Sequence, residues 1–399
     1  MMNQSLEKGK QILRVLKANG YEAYFVGGYV RDFLLGLKSS DIDIATSALP
    51  NVVLSLFPKA IATGEKYGTI SVYMDEVFFE VTTFRTEGEY LDSRHPEFVA
   101  FTNRLEDDLM RRDFTINAMA MDEDLIIIDR FESQTDLKNG LIRAIGNPDT
   151  RFSEDALRIL RAFRFIAKLG FHIDDNTFES ICTHKELLKH IAIERIMQEL
   201  KLIVEGPYAI LAIKAMAKAN LGEVLESINL GLRLLSGKLD FSLSVNEFYA
   251  LSFYLANCEI PDKWRFSNKD KALIERLIEL VIVTSRDDFN EMIVYVNGLD
   301  LCLSANKINL LIFDGNDQSS LIQHLYDRMP IHKTCDLAFK GQDILQMGLL
   351  QDARMIGRLI DDITYQVITL QLPNDYDAIH HYVQQRLDNI NDSGEKNGK

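Results

Sequence analysis

The sequence predicts an α+β protein: an N-terminal head with a small mixed β-sheet and helices, then an all-α series. Two observations carry this. Up to about Ile145, strand-period runs are mixed with helical ones. After Asn147-Pro148 the apolar residues recur at helical spacing almost without interruption. A third observation bounds the class: 399 residues with 47% hydrophobic content exceed one domain and supply ample core. The breaks divide the chain into a head (1–147), a helical neck (148–206), a helical body (207–309) and a helical tail (310–399).

Charge and cysteines narrow the function classes. A net charge of -15 argues against indiscriminate nucleic-acid binding. The stretch from Lys138 to Lys201 nevertheless carries eleven Lys and Arg against nine Asp and Glu, a local basic surface in an acidic chain. Cys182, Cys258, Cys302 and Cys335 are far apart and form no CxxC, which reads as reduced thiols rather than a zinc site or a disulfide frame. The N-terminus shows no apolar signal region and no run spans a membrane, so the expected location is cytoplasmic, with no membrane partner.

In the head, Ala23–Val26 reads as a buried strand and Gly27-Gly28 as a turn that lets backbone approach closely. Tyr29 to Leu35 is helical, with Gly36 at its end. Asp41 and Asp43 alternate with Ile42 and Ile44, so both carboxylates share one strand face, roughly 7 Å apart at Cα. Adjacent carboxylates repel. A divalent metal removes that conflict, and Mg²⁺ favours carboxylate oxygens together with substrate phosphates. A helix is expected from Leu49-Pro50 to Leu56, a loop over Thr63–Gly68, and a hairpin from Thr69–Met74 to Val77–Arg85. Glu80 in that hairpin is either a third carboxylate for the metal or an edge-strand acid. Thr86 to Phe101 is polar, irregular and long enough for a functional loop. Arg111, Arg112 and Asp113 stand between two short helical patterns, the second packed by Ala118, Met119 and Ala120. The arginines either counter Glu106 to Asp108 or face a ligand, and Asn117 reads as a local hydrogen-bond anchor. Leu125–Asp129 returns as a strand.

In the neck, Ser153 is the expected N-cap, with Glu154 and Asp155 at the positive helix end. Leu157, Leu160, Ala162 and Phe163 alternate with Arg158, Arg161 and Arg164 along one side. Asp155 and Arg158 are three apart and adjacent, either as a salt bridge or as a reading pair. Arg195 and Glu199 stand at i,i+4, the spacing of a helix-stabilising ion pair. Beyond Pro207, Trp264, Phe248, Tyr249, Phe253 and Tyr254 are expected in the core.

GG-x-VRD followed by DxD resembles the first motif of the nucleotidyltransferase superfamily, in its tRNA nucleotidyltransferase and bacterial poly(A) polymerase branch. RRDFTINA resembles the third motif, EDALRILRAFRF fills the fourth (EDxxRxLRxxRF), and IERIMQELKL resembles the fifth. The stretch from Phe339 to Asp375 resembles the tail of the same enzymes. No histidine is followed by Asp, so the likeness is to the shorter form without a phosphohydrolase domain. The resemblance implies a bacterial class II tRNA nucleotidyltransferase that adds CCA to tRNA 3′ ends from CTP and ATP, with an elongated helical neck, body and tail. It implies that Asp41 and Asp43 are catalytic and hold Mg²⁺. It implies that Gly28, Arg31 and Arg112 position the triphosphate, and that Asp92, Arg94 and Pro96 lie in a flexible loop, with His95 where relatives often carry arginine. In those enzymes the tail grips the upper part of tRNA, and Lys340, Gly341, Arg354 and Arg358 could meet phosphates there through side chains or helix N-termini; Ala353-Arg354 stands where relatives often carry Gly-Pro, so no individual contact is assigned. Relatives limited to adding CC lack the loop. An A-adding enzyme, a poly(A) polymerase and a tRNA-binding chaperone with an inactive head are the alternatives. The oligomeric state stays open, a homodimer included.

Base chemistry gives Asp155 and Arg158 a role of their own. Cytosine and adenine each present an amino donor beside a ring-nitrogen acceptor. A carboxylate next to a guanidinium complements both: Asp155 accepts from the amino group and Arg158 donates to the ring nitrogen. Uracil and guanine present the reverse order, and mismatched buried polar groups cost roughly 1–3 kcal/mol each. Such a pair admits CTP and ATP without a nucleic-acid template, while Arg161 and Arg164 hold the triphosphate or support the pair.

Overall fold

The computed structural model describes residues 2–38, 41–74, 77–87, 99–313, 315–347 and 353–395. The head opens with helix α1 (Met2–Ala18), strand β1 (Ala23–Val26), helix α2 (Gly28–Leu34) and strand β2 (Asp43–Thr46). Helix α3 (Pro50–Leu56) leads into β3 (Ala60–Gly64), β4 (Thr69–Met74) and β5 (Val77–Thr83). Short β6 (Arg85–Glu87) and β7 (Val99–Phe101) precede helix α4 (Leu105–Met110), then β8 (Met119–Met121) and β9 (Ile127–Asp129). Helix α5 (Ser133–Asn139) and β10 (Leu141–Ile142) end the head.

Seven strands form one mixed sheet, ordered β3-β4-β5-β2-β1-β8-β9, with β2 and β5 parallel and the other neighbours antiparallel. Both faces of β1 are covered, because neighbouring strand residues point to opposite sides. On one side Phe25 lies against α1, so closely that a Cβ on Gly9 would stand 2.6 Å from its ring. On the other, Val26, Ala45, Phe84, Leu105, Leu109, Ala118, Ala120 and Ile145 form a buried cluster. Each large side chain buried there contributes about 1.5–3 kcal/mol. The β2–β5 register sets Asp43 directly opposite Glu80.

Several local expectations give way. Thr63–Gly68 is not all loop: Thr63 and Gly64 end strand β3, which pairs with β4. Ala-Ile-Ala-Thr-Gly carries little strand signal, and β4 supplies its hydrogen bonds. Met119–Met121 has helical composition yet forms β8, because β1 and β9 offer a ladder on both sides. The ends of Thr86–Phe101 are ordered as the antiparallel pair β6–β7; residues 88–98, with Asp92, Arg94, His95 and Pro96, lie outside the described residues.

Helix α6 (Pro148–Glu154) follows, capped by Asn147, whose side chain accepts from the Asp149 and Thr150 amides. Ser153 is therefore inside a helix and not its N-cap; its hydroxyl donates to the Asp149 carbonyl. Helix α7 (Leu157–Leu169) is separate. Strand β11 (His172–Ile173) pairs with β10, and helices α8 (Asp175–His184), α9 (Ile193–Val204), α10 (Ala209–Lys218), α11 (Asn229–Ser236) and α12 (Val245–Ala256) continue the series.

One compact unit comprises Met1–Phe248 and Leu255–Arg265; the other comprises Tyr249–Tyr254 and Phe266–Lys399. The second is helical: α13 (Asn268–Thr284), α14 (Glu291–Asn297), α15 (Leu299–Phe313), α16 (Ser319–Arg328), α17 (Gly341–Gln346), α18 (Ala353–Ile368) and α19 (Tyr376–Glu395). Trp264, Phe248, Tyr249 and Phe253 are buried as expected, while Tyr254 is half-buried. Lys340, Arg354 and Arg358 are exposed. Among the described residues no helix is long and apolar enough to cross a membrane.

Candidate active site

The turn after β1 is built on Gly27, whose φ of 69° and ψ of -135° suit glycine. A Cβ there would stand 2.7 Å from Arg112 Nη1 and 3.7 Å from Asp43 Oδ2. The missing side chain therefore lets a guanidinium and a carboxylate close on the same turn. Asp43 begins β2, so Asp41, which is exposed, precedes the strand. Burial pushes the Asp43 carboxyl up to about 6; Arg112 opposes the shift, while Glu80 and Asp41 add to it.

Asp43 lines a cleft of about 1050 Å³. Gly28, Arg31, Arg112, Asp155, Arg158, Arg161 and Arg164 line it too, whereas Asp41 does not. Nine cationic side chains and four acidic ones form its wall. In a chain of net charge -15, this concentration marks a place for a polyanion.

Two buried acids arrange the arginines. Asp108, on α4, takes Arg111 at 2.8 Å and Arg112 at 3.0 Å. Burial opposes its charge, but Arg112 and then Arg111 hold its carboxyl below the usual range. These arginines do counter an acid, yet the acid is buried and both cations line the cleft. Asp113 accepts from its neighbour Phe114 N–H at 2.8 Å, from Asn117 Nδ2 at 3.0 Å and from Arg161 Nε at 2.7 Å. Burial again opposes the charge, and Arg161 leads the groups that lower the carboxyl well below the usual range. Asn117 is no merely local anchor: its Oδ1 accepts from Arg31 Nη1 at 2.6 Å. Arg31 also holds Asp32, which takes Lys168 from α7 at 2.9 Å. The guanidinium carbons of Arg31, Arg161 and Arg164 stand 5.2, 5.9 and 5.0 Å from the Phe165 ring centroid.

The neck segment departs from a single amphipathic helix. Asp155 has extended backbone (φ -141°, ψ 100°) between α6 and α7. Its Oδ1 accepts from the Leu157 amide at 3.0 Å and its Oδ2 from Arg195 Nη2 at 3.1 Å. Arg158, nearly buried, donates to Glu154 Oε2 at 2.6 Å and to the carbonyls of Arg151 and Arg111 at 3.2 Å. The expected Arg195–Glu199 pairing is replaced: Glu199 accepts from Arg164 at 3.3 Å. The reason is reach, since α7 packs along α9 and brings Arg164 to Glu199, while the segment just before α7 brings Asp155 to Arg195.

The sequence expectations left out Tyr67, Arg85, Lys168 and Arg195 as cleft residues. Lys168 continues the helical face of Arg161 and Arg164, a signal present in the spacing. Arg85 has no such signal; the end of a hairpin brings it there.

A glycine turn beside a strand-borne carboxylate, facing an arginine-rich helical wall, defines a nucleotidyltransferase-type head on a helical neck. Residues 23–143 match the family of poly A polymerase head domains, residues 170–228 a probable RNA and SrmB-binding site of polymerase A, and residues 250–383 a putative tRNA nucleotidyltransferase domain 2. A CCA-adding enzyme of Bacillus cytotoxicus is 35% identical over 384 residues, covering 94% of this chain and 97% of the relative. One from Bacillus cereus is 33% identical, covering 96% and 99%. The chain belongs to the family of CCA-adding enzymes. The crystal structure of the Bacillus stearothermophilus CCA-adding enzyme in complex with CTP superposes with a TM-score of 0.85 at 32% identity, covering 98% of this chain and 99% of that one. The Thermotoga maritima CCA-adding enzyme complexed with tRNA shares the fold, with a TM-score of 0.70 at 20% identity, covering 96% and 95%.

Proposed function

We propose that this protein adds and repairs the 3′-terminal CCA of tRNA, using CTP and ATP without a nucleic-acid template. The observation that carries the reading is the shared cleft: the Gly27-Gly28 turn, the Asp43 carboxylate and the Asp155–Arg158 segment face one basic space. In this reading the head (1–147) performs the chemistry, the neck (148–206) selects the base, and the body (207–309) and tail (310–399) hold the tRNA. The four free cysteines suit a reducing, cytoplasmic setting.

Asp41 and Asp43 are the residues that would hold Mg²⁺. Their oxygens are hard donors, and Glu80 opposite Asp43 adds negative charge that a cation offsets. Among the described residues no set of three acidic, histidine or cysteine side chains converges as a closed site. Mg²⁺ takes only one or two carboxylates and completes its shell with water and phosphates. When bound, the metal supplies a Lewis acid for the attacking 3′-hydroxyl and neutralises triphosphate charge. Gly28 lets backbone approach the phosphates; Arg31 and Arg112 orient them; Arg161 and Arg164 extend the positive wall. Asp155 accepts from the amino group of cytosine or adenine and Arg158 donates to the ring nitrogen. Positioning and charge stabilisation suffice for phosphoryl transfer, and no covalent intermediate is needed.

The test is incubation with tRNA ending at the discriminator base, at –C and at –CC, with each nucleotide singly and mixed. C, C and A added in order, with UTP and GTP refused, is the expected result. Addition of A alone to –CC, or unlimited A, would replace this reading by an A-adding enzyme or a poly(A) polymerase.

A further inference from the structure

The fifth motif, on α9, stays outside the function so far, and its charges are arranged unexpectedly. Arg195 and Glu199 stand one turn apart and could pair within the helix. Each instead reaches across to the segment of Asp155 and α7, Arg195 to Asp155 and Glu199 to Arg164. Arg195 lines the cleft, and its Nη1 is buried without a hydrogen-bond partner. Glu199 Oε2 is likewise buried without one. A pairing selected for stability alone would not leave two buried polar atoms unsatisfied, since each carries a desolvation cost.

Building on the base-reading role proposed for Asp155, we infer that Arg195 is a positioning residue for nucleotide selection. Asp155 sits in extended backbone between two helices, and the first amide of α7 reaches only one of its carboxylate oxygens, so a second donor is needed to fix the side chain. Two donors do: the Leu157 amide on Oδ1 and Arg195 on Oδ2. Each carboxylate oxygen has two lone pairs, so a clamped Asp155 still accepts from a base amino group. What the clamp supplies is direction. A free carboxylate turns to accommodate the carbonyl of uracil, whereas a clamped one keeps its lone pairs aimed at that carbonyl and rejects it.

The test compares Arg195→Met, Arg195→Lys, Asp155→Ala and the Arg195→Met/Asp155→Ala double variant. The readouts are kcat and KM for CTP, ATP and UTP on tRNA lacking its CCA end, with Tm recorded beside them. Arg195→Met is expected to lower the CTP-over-UTP preference by roughly tenfold, the scale of one charge-assisted hydrogen bond, mainly through KM. Arg195→Lys keeps a point charge and recovers part of the preference; it also carries the test if the Met variant fails to fold. In the Asp155→Ala background Arg195→Met changes the preference no further. An unchanged preference in folded Arg195→Met, while Asp155→Ala loses it, overturns the inference and leaves the reading of Asp155 intact. Additive losses in the double variant also overturn it. An unchanged preference in Asp155→Ala itself means that the base-reading role fails.

Discussion

Removing the Asp113 carboxylate tests whether one buried acid assembles the cleft wall. Asp113 is 7% exposed and takes three donors, among them Arg161 from α7 and Asn117, which in turn holds Arg31. Asp113→Asn keeps the shape but sets an amide N–H₂ or a neutral oxygen against Arg161. Breaking a buried ion pair costs about 3–5 kcal/mol. The Arg161 side chain is 33% exposed, so water recovers part of that loss and the lower end applies. A loss of about 3 kcal/mol lowers Tm by roughly 6–12 °C in a unit of this size. The sign with pH follows from the depressed carboxyl. Its stabilising contribution is complete above the ordinary aspartate value of about 3.9 and is lost as pH falls from there through the folded value. Thermal unfolding of wild type and Asp113→Asn, from pH 7 downward, should show a constant gap that closes only on strong acidification. Nucleotide addition at pH 7, below the variant's Tm, should show a raised KM for both CTP and ATP, because Arg31 and Arg161 lose their common anchor. A Tm within a degree of wild type, together with normal KM values, would refute the argument.

Asp41→Ala and Asp43→Ala should each abolish addition of both C and A while tRNA binding persists; normal turnover of either variant in Mg²⁺ removes the metal-site reading. Gly27→Ala places a Cβ 2.7 Å from Arg112 Nη1 at a φ of 69°. It should cost about 1–3 kcal/mol of stability through backbone strain and raise KM for both nucleotides, which steady-state assays would show. Shortening Thr86–Phe101 should spare CC addition and suppress the terminal A; an equal fall in both, measured on tRNA ending at the discriminator base and at –CC, would make the stretch purely structural.

What the sequence determined by itself was whatever depends on neighbours along the chain. Strand β1, the glycine turn and helix α2 were all legible, because strand and helix periods act over a few residues. The Asp-x-Asp alternation held only from Asp43 on: Asp41 precedes β2, so the two carboxylates do not share a strand face. The face shared by Arg158, Arg161 and Arg164 was legible for the same reason. Met119–Met121 was not, since two neighbouring strands overrule its helical composition. Nor were the distant partners of the charged residues. Arg31 and Asn117 are 86 positions apart, Asp155 and Arg195 are 40, and Arg161 and Asp113 are 48. Within α9 Arg195 has Glu199 four residues away, so spacing alone favours that local pair. Tertiary packing decided otherwise, because α9 buries one side against α7 and the segment before it, and a buried charge takes whichever partner meets it there with the best geometry.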